Sequence, residues 1–220
     1  HIARLTHHRD WLNGLRLRAL HYRNALGTDL MVELPEGHFW VAGEERTPAG
    51  VPFVPNMPTE EVFTAPRRDG VNGRVVASLP LVLDGNVVRG FALTLERGRI
   101  VHVEAKEGET VLRNAVAVDE GASYLGEVAL VPFDSAISRT GTLFYNTLFD
   151  ENASCHLAFG SAYPCIAGSE QMSEAERLKR GLNASMTHVD FMIGTPDLSI
   201  VGIRQDGSEV PVFVNGNFAR

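Results

Sequence analysis

His188-Val189-Asp190 sets an imidazole and a carboxylate two positions apart in the sequence. On an extended strand, residues i and i+2 point to the same face, so this pair aims a nitrogen and an oxygen donor at one point. Those are the donors that hard and borderline divalent cations take, and a catalytic cation needs a further position left open for water or substrate. By itself the pair carries little weight. His102-Val103-Glu104 repeats the spacing, and an ordinary solvated strand face produces it too.

Three other stretches hold candidate partners. Glu127 opens the apolar run Glu127-Val128-Ala129-Leu130-Val131, where a carboxylate beside a buried face needs a partner to offset its desolvation; taken alone, an exposed strand end is the simpler reading. Residues 149–156 (FDENASCH) are polar between apolar flanks, which marks either a surface loop or a site. Glu60 and Glu61 are adjacent carboxylates set between Pro58 and Pro66. In a hydrolytic metal site one such carboxylate can bind an ion while its neighbour takes a proton from an acidified water; the alternative is an acidic surface loop.

These residues must be positioned by the elements around them. Residues 9–26 carry Leu12, Leu15, Ala19 and Tyr22 at helical spacing, with Gly27 as a stop, and predict one opening helix. Residues 28–35 and 38–42 read as short strands. Pro52, Pro55, Pro58 and Pro66 then mark an irregular segment that holds neither helix nor central strand. Residues 74–104 read as an antiparallel meander with turns at Asp84-Gly85-Asn86 and Arg97-Gly98. A short helix over 110–116, a strand over 127–131 and a loop through Gly141 follow. Ser173-Glu174-Ala175-Glu176 has the form of a capping box and starts a helix running to about residue 182, and strands are expected over 187–193, 198–204 and 209–214. The sum is an α+β domain with mostly antiparallel sheet.

Composition narrows the function classes. With 44% hydrophobic and 21% charged residues over 220 positions, the chain has the material for one compact unit with a real core. Its formal charge of -7 argues against a nucleic-acid partner and suits a cation site. There is no apolar run of membrane-spanning length, so no membrane association is expected. Cys155 and Cys165 are too few for a disulfide scaffold and form no zinc-ribbon pair, which makes reduced thiols and a cytoplasmic location the expectation. His-Glu-x-x-His does not occur, and Cys155 and His156 are adjacent and so face opposite ways if extended, which sets up no thiol nucleophile.

Taken together and in order, PTEEVFTAP, GEVALVP, NTLFDENASCHLAFGSAYP and HVDFMIG resemble the aminopeptidase T and aminopeptidase S family of thermophilic-type metallo-aminopeptidases, from about residue 56 to 194. The resemblance implies two divalent metal ions, zinc or cobalt, in a C-terminal catalytic domain. It assigns as ligands Glu61, Glu127, His156, Tyr163, His188 and Asp190, with Glu127 touching both ions. Glu151, five positions before His156 in the same stretch, is a candidate for a further ligand or a base. The reaction it implies is release of N-terminal residues from peptides with a free N-terminus, with Glu60 accepting and returning the proton of the attacking water and Tyr163 ligating an ion or donating to the oxyanion. It also implies that residues 1–220 are the C-terminal half of a protein with an upstream α/β domain, and that the full-length protein is a homodimer. The rival readings are a mononuclear iron ring-cleaving oxygenase and a non-catalytic binding module. The first is disfavoured because His188 is the last histidine, so no later one closes a His-x-Asp…His triad.

Overall fold

Short runs of alternating apolar and polar residues, broken by glycine and polar turn pairs, dominate the chain beyond Arg16. The computed structural model describes residues 1–220, and there these runs form two principal sheets. The larger has eight strands in the order Arg99–Glu104, Ala92–Glu96, Val71–Val76, Asp29–Glu33, Leu17–Arg23, Ser199–Arg204, Glu209–Val214 and Asn217–Phe218. The smaller has five: His188–Met192, His156–Gly160, Leu125–Leu130, Val62–Thr64 and Val41–Ala42. Neighbouring strands are antiparallel throughout, and four short or medium helices complete an α+β fold.

One core of 34 buried residues joins the two sheets. Leu20, Tyr22, Leu30, Val32, Val75 and Leu93 come to it from the larger sheet, and Val128, Leu157, Phe159 and Phe191 from the smaller. Each such side chain contributes about 1.5–3 kcal/mol on burial, so the core fixes which face of the small sheet turns inward and leaves the opposite face to other uses.

The opening element differs from the sequence expectation. The helix spans Ile2–Leu15 and ends at Arg16, which is left-handed with φ 50° and ψ 54°, and the chain continues as the strand Leu17–Arg23. Ala19 and Tyr22, which extend the helical spacing of Leu12 and Leu15, are instead buried inside the larger sheet. There the strand is bonded on one side to Asp29–Glu33 and on the other to Ser199–Arg204. Two ladders and a buried aromatic outweigh local periodicity. The proline-rich segment also contains what it was not expected to hold. Val62–Thr64 lies inside the small sheet, between Leu125–Leu130 and Val41–Ala42, and Pro58 and Pro66 fall outside its three residues, so no ladder N–H is lost. Elsewhere the turn signals hold: Asp84-Gly85 and Arg97-Gly98 have positive φ at both residues, the twist a two-residue hairpin needs. The capping box at Ser173 and Glu176 forms, although its helix stops at Lys179.

A single register shift decides what the small sheet presents. Leu125 pairs with Phe159 but Glu127 pairs with Ala158, so Gly126 is an extra residue, a β-bulge. Without it Leu125 and Glu127 would share a face. With it Leu125, Val128 and Leu130 all reach the core, and Glu127 turns to the opposite face. A Cβ on Gly126 would lie 2.3 Å from the carbonyl oxygen of Ser161 and 2.5 Å from that of Gly160. Gly126→Ala is therefore expected to lower stability by about 1–3 kcal/mol through overpacking. Urea unfolding checks this, and a midpoint equal to that of the parent chain would show that the bulge tolerates a side chain.

Candidate metal centre

On the outer face of the small sheet the register brings the candidate residues together. Asp190 pairs across from Ala158, which pairs across from Glu127; one step along, His188 lies opposite Gly160, and on the other side His156 lies between Ala129 and Met192. Alanine and glycine in the middle of this surface leave room for the long side chains on either side to converge. Glu61 enters from the residue just before Val62–Thr64. Phe63 shares its parity and lines the same cavity, whereas Val62 belongs to the core. By that alternation Glu60 points the other way.

The donors meet closely. His156 Nε2 lies 3.1 Å from Glu61 Oε2 and 3.6 Å from Glu127 Oε1. His188 Nε2 lies 3.3 Å from Glu127 Oε2 and 3.2 Å from Asp190 Oδ1. They form two triads, Glu61-Glu127-His156 and Glu127-His188-Asp190, each with its donor atoms within 4.8 Å of one another. Glu127 belongs to both and turns one oxygen to each. The first triad is buried throughout; in the second, His188 and Asp190 are partly open.

Each imidazole is held from behind. His156 Nδ1 is 3.0 Å from the carbonyl of Glu151 and 3.1 Å from that of Ser154, and His188 Nδ1 is 2.7 Å from the carbonyl of Ser161. A carbonyl only accepts, so Nδ1 carries the proton and donates, and the Nε2 lone pair faces carboxylate oxygens. Lone pair against carboxylate is repulsive unless a cation lies between them. Where no metal ion is present, a second proton takes that place. Burial disfavours charged His156, yet its bonds to Glu127 and Glu61 hold its pKa well above the usual imidazole range. His188 is likewise raised, to about 10, its bonds to Asp190 and Glu127 outweighing burial. Burial pushes the Glu61 carboxyl up, while the bond from His188 and the charges of both imidazoles hold Asp190 down against its own burial. Oxygen and imidazole donors, backed by carbonyls and without sulfur, fit a hard or borderline divalent cation. Cys155 is occupied elsewhere: its thiol donates to the Val131 carbonyl at 3.2 Å and accepts the Val131 N–H at 3.3 Å.

The centre opens into a cavity of about 260 Å³. Val41, Pro55 and Phe63 give it an apolar wall, Glu151 and Tyr163 line it beside the triads, and no lysine or arginine reaches it. Tyr163 is half exposed, with its ring edge-on to His188 at 5.4 Å between centroids. Burial and the nearby carboxylates push its hydroxyl up to about 12. Burial also raises Glu151, to about 8, with Asp190, Glu61 and Glu127 adding to the rise and His156 opposing it.

Not every candidate converges. The Glu60 carboxylate is buried against Arg4, with Nη2 at 3.3 Å, and does not line the cavity. The look-alike pair His102 and Glu104 sits exposed on an edge strand of the larger sheet, with Glu104 bonded to Arg74. A larger cleft, about 740 Å³, lies elsewhere and holds already paired charges, Arg67 with Glu33 and Asp69, and no imidazole or thiol. Asn152 is fully buried behind the site, a role that its residue type and neighbours do not single out in the sequence. The signal for it was the polar stretch 149–156 between apolar flanks, which forms the helix Thr147–Glu151 and its exit rather than a surface loop.

Buried carboxylates and imidazoles paired through a shared glutamate, at the floor of an open cavity, form the donor set that a divalent-cation protein presents. The chain belongs to the thermophilic metalloprotease (M29) family, whose model matches residues 1–218. It is 55% identical over 211 residues to aminopeptidase AmpS of Bacillus subtilis, covering 96% of this chain and 51% of that protein. It is 49% identical over 208 residues to aminopeptidase T of Thermus thermophilus, covering 94% of this chain and 50% of the relative. The solved structure of wild-type AmpT from Thermus thermophilus superposes on all of this chain and on 54% of its own, with a TM-score of 0.93 and 47% identity. A dioxygenase structure from Pseudomonas putida shares the fold alone, at 16% identity and a TM-score of 0.65 over 97% of this chain. The chain thus spans about half the length of the curated relatives it matches.

A cation that binds the folded centre and not the unfolded chain stabilises by mass action, by about 2.7 kcal/mol at a hundredfold excess over its dissociation constant. Thermal unfolding in a chelator and then in zinc or cobalt is expected to show a clear rise in midpoint. The same experiment on His156→Ala should show most of that rise gone, and an equal rise in both chains would mean that the ions act elsewhere.

Proposed function

We propose that this chain is the metal-binding catalytic unit of an aminopeptidase that releases N-terminal residues from peptides. The observation that carries the reading is Glu127, one buried carboxylate shared by two donor triads. It supports a centre for two ions, zinc or cobalt, an inner one on Glu61, Glu127 and His156 and an outer one on Glu127, His188 and Asp190. Bound there, such ions supply Lewis acidity toward a carbonyl and lower the pKa of water.

The chain's own residues do the rest. Of the cavity carboxylates outside the triads, Glu45 is exposed at the rim and Glu151 lies within, beside both imidazole-backed triads. Cations held in the two triads would oppose the rise that burial gives the Glu151 carboxyl and keep it ionised, so that Glu151 takes the proton of the attacking water and returns it to the leaving amine. Glu60, held on Arg4 behind the cavity, is not given that role. Tyr163 keeps its proton at neutral pH and donates it in a hydrogen bond to the oxyanion that develops on the carbonyl carbon's oxygen. A cavity with several carboxylates and no lysine or arginine favours a protonated α-amine, which is what a free peptide N-terminus presents.

The relatives are about twice as long, which supports reading residues 1–220 as one half of a longer protein; we further propose that it is the C-terminal catalytic half, working with an upstream α/β domain in a cytoplasmic homodimer. No helix is long and apolar enough to cross a membrane.

The test is metal analysis combined with turnover of an aminoacyl p-nitroanilide by the full-length protein. Two ions per chain and cleavage that stops when the substrate amine is acetylated are expected. One iron with oxygen uptake would instead indicate an oxygenase, and neither metal nor turnover a binding module. Glu151→Gln is expected to keep its metal while kcat falls by about 10²–10⁴, the usual worth of a positioned base. Near-normal turnover in that variant would remove Glu151 from the mechanism.

A further inference from the structure

Glu61 reaches the centre from a stretch of chain that the sheet does not hold. Pairing of its strand begins only at Val62, opposite Leu130 on one side and Ala42 on the other. What replaces the ladder is a polar clamp around the buried Glu60. The Glu60 N–H donates to Asn152 Oδ1 at 2.7 Å, its carboxylate is met by Arg4 Nη2 at 3.3 Å, and the Thr59 carbonyl lies 2.5 Å from His1 Nε2. Asn152, with no exposed surface, also donates from Nδ2 to the Leu148 carbonyl at 2.8 Å, and its own carbonyl accepts from Ser135 Oγ at 3.1 Å. One side chain therefore fixes the approach of Glu61 and the helix Thr147–Glu151 that carries Glu151.

We propose that Arg4, Glu60 and Asn152 are positioning residues for the inner cation site. Glu60 points away from the cavity and acts through the backbone: anchoring its carboxylate on the opening helix sets the peptide twist that sends Glu61 into the triad with Glu127 and His156. A buried carboxylate suits this task because its bonds have direction, which an apolar side chain of equal volume lacks. The two adjacent glutamates thus divide the work between holding an ion and holding the chain. This inference rests on the reading of Glu61 as a cation ligand.

The test is cobalt titration of the full-length protein, followed by its visible absorption, with Arg4→Gln and Asn152→Ala beside the parent. Arg4 is half exposed, so its variant is expected to fold, and circular dichroism verifies this for each chain. Outer-shell partners of a metal ligand typically set 10- to 100-fold in affinity. One of the two binding steps is expected to weaken by about that factor in both variants while the other stays unchanged, and Arg4→Lys should recover part of the loss. Glu60→Gln should match Arg4→Gln, and the double variant should be no weaker than either single one. Folded variants with parental affinity at both steps would overturn the proposal. So would a Glu60→Gln chain that binds cobalt normally but yields an inactive full-length enzyme, because Glu60 would then act on the substrate. A parent chain that binds no cobalt would overturn the reading of the centre itself.

Discussion

Glu61, Glu127 and Asp190 are gathered on one sheet face around two imidazoles whose free lone pairs point at them. Like charges about 4 Å apart repel by about 4 kcal/mol at an effective dielectric near 20, and burial adds the cost of lost hydration. Nothing else in the cavity offsets this, since no lysine or arginine lines it. Positive charge must therefore come from outside the side-chain set, as protons on the imidazoles or as bound cations. The surrounding structure serves to keep these groups close in spite of the repulsion. Carbonyls of Glu151, Ser154 and Ser161 fix the rings, and antiparallel ladders fix the strands that carry them.

The fold makes that arrangement affordable by separating its two faces. Val128, Leu157, Phe159 and Phe191 bury one side of the small sheet against the larger sheet, and that apolar burial stabilises the strands independently of anything on the outer side. The bulge at Gly126 lets one short strand serve both purposes, with Leu125 in the core and Glu127 in the centre. Small residues then matter as much as the donors. Ala158 stands between Glu127 and Asp190 in the register, and a larger side chain there would occupy the volume in which their oxygens meet His188.

How much of this was legible in the sequence depended on the range of the interaction concerned. Hairpin turns and the capping box are local, and Asp84-Gly85, Arg97-Gly98 and Ser173 to Glu176 stand where their residues indicate. The strand Leu17–Arg23 has helix-like spacing, which is local, whereas its place in the sheet depends on neighbours outside it, one of them the remote Ser199–Arg204. For the site, residue types and order carried the convergence of Glu61, Glu127, His156, His188 and Asp190, through the resemblance of whole blocks rather than through any pair. His102 and Glu104 show why: identical spacing on an exposed edge strand gives a solvated pair. The burial of Glu127 and the bulge behind it depend on a register that no single segment contains.

Adjacent glutamates before a strand illustrate the same limit from the chemical side. From sequence alone, Glu60 and Glu61 invite a division of labour between ligand and base, since both have the right functional group. The structure turns the two side chains apart. Two consecutive side chains on extended backbone leave on opposite sides, so at most one of them reaches a cavity on a given face, and here that one is Glu61, on the side of Phe63. The other must find its own partner in the protein, which it does on Arg4. A further carboxylate for the same cavity comes from a different element, as the last turn of Thr147–Glu151 brings Glu151 there. Its backbone carbonyl already holds His156, so the segment that orients this imidazole from behind also delivers a carboxylate to the cavity in front.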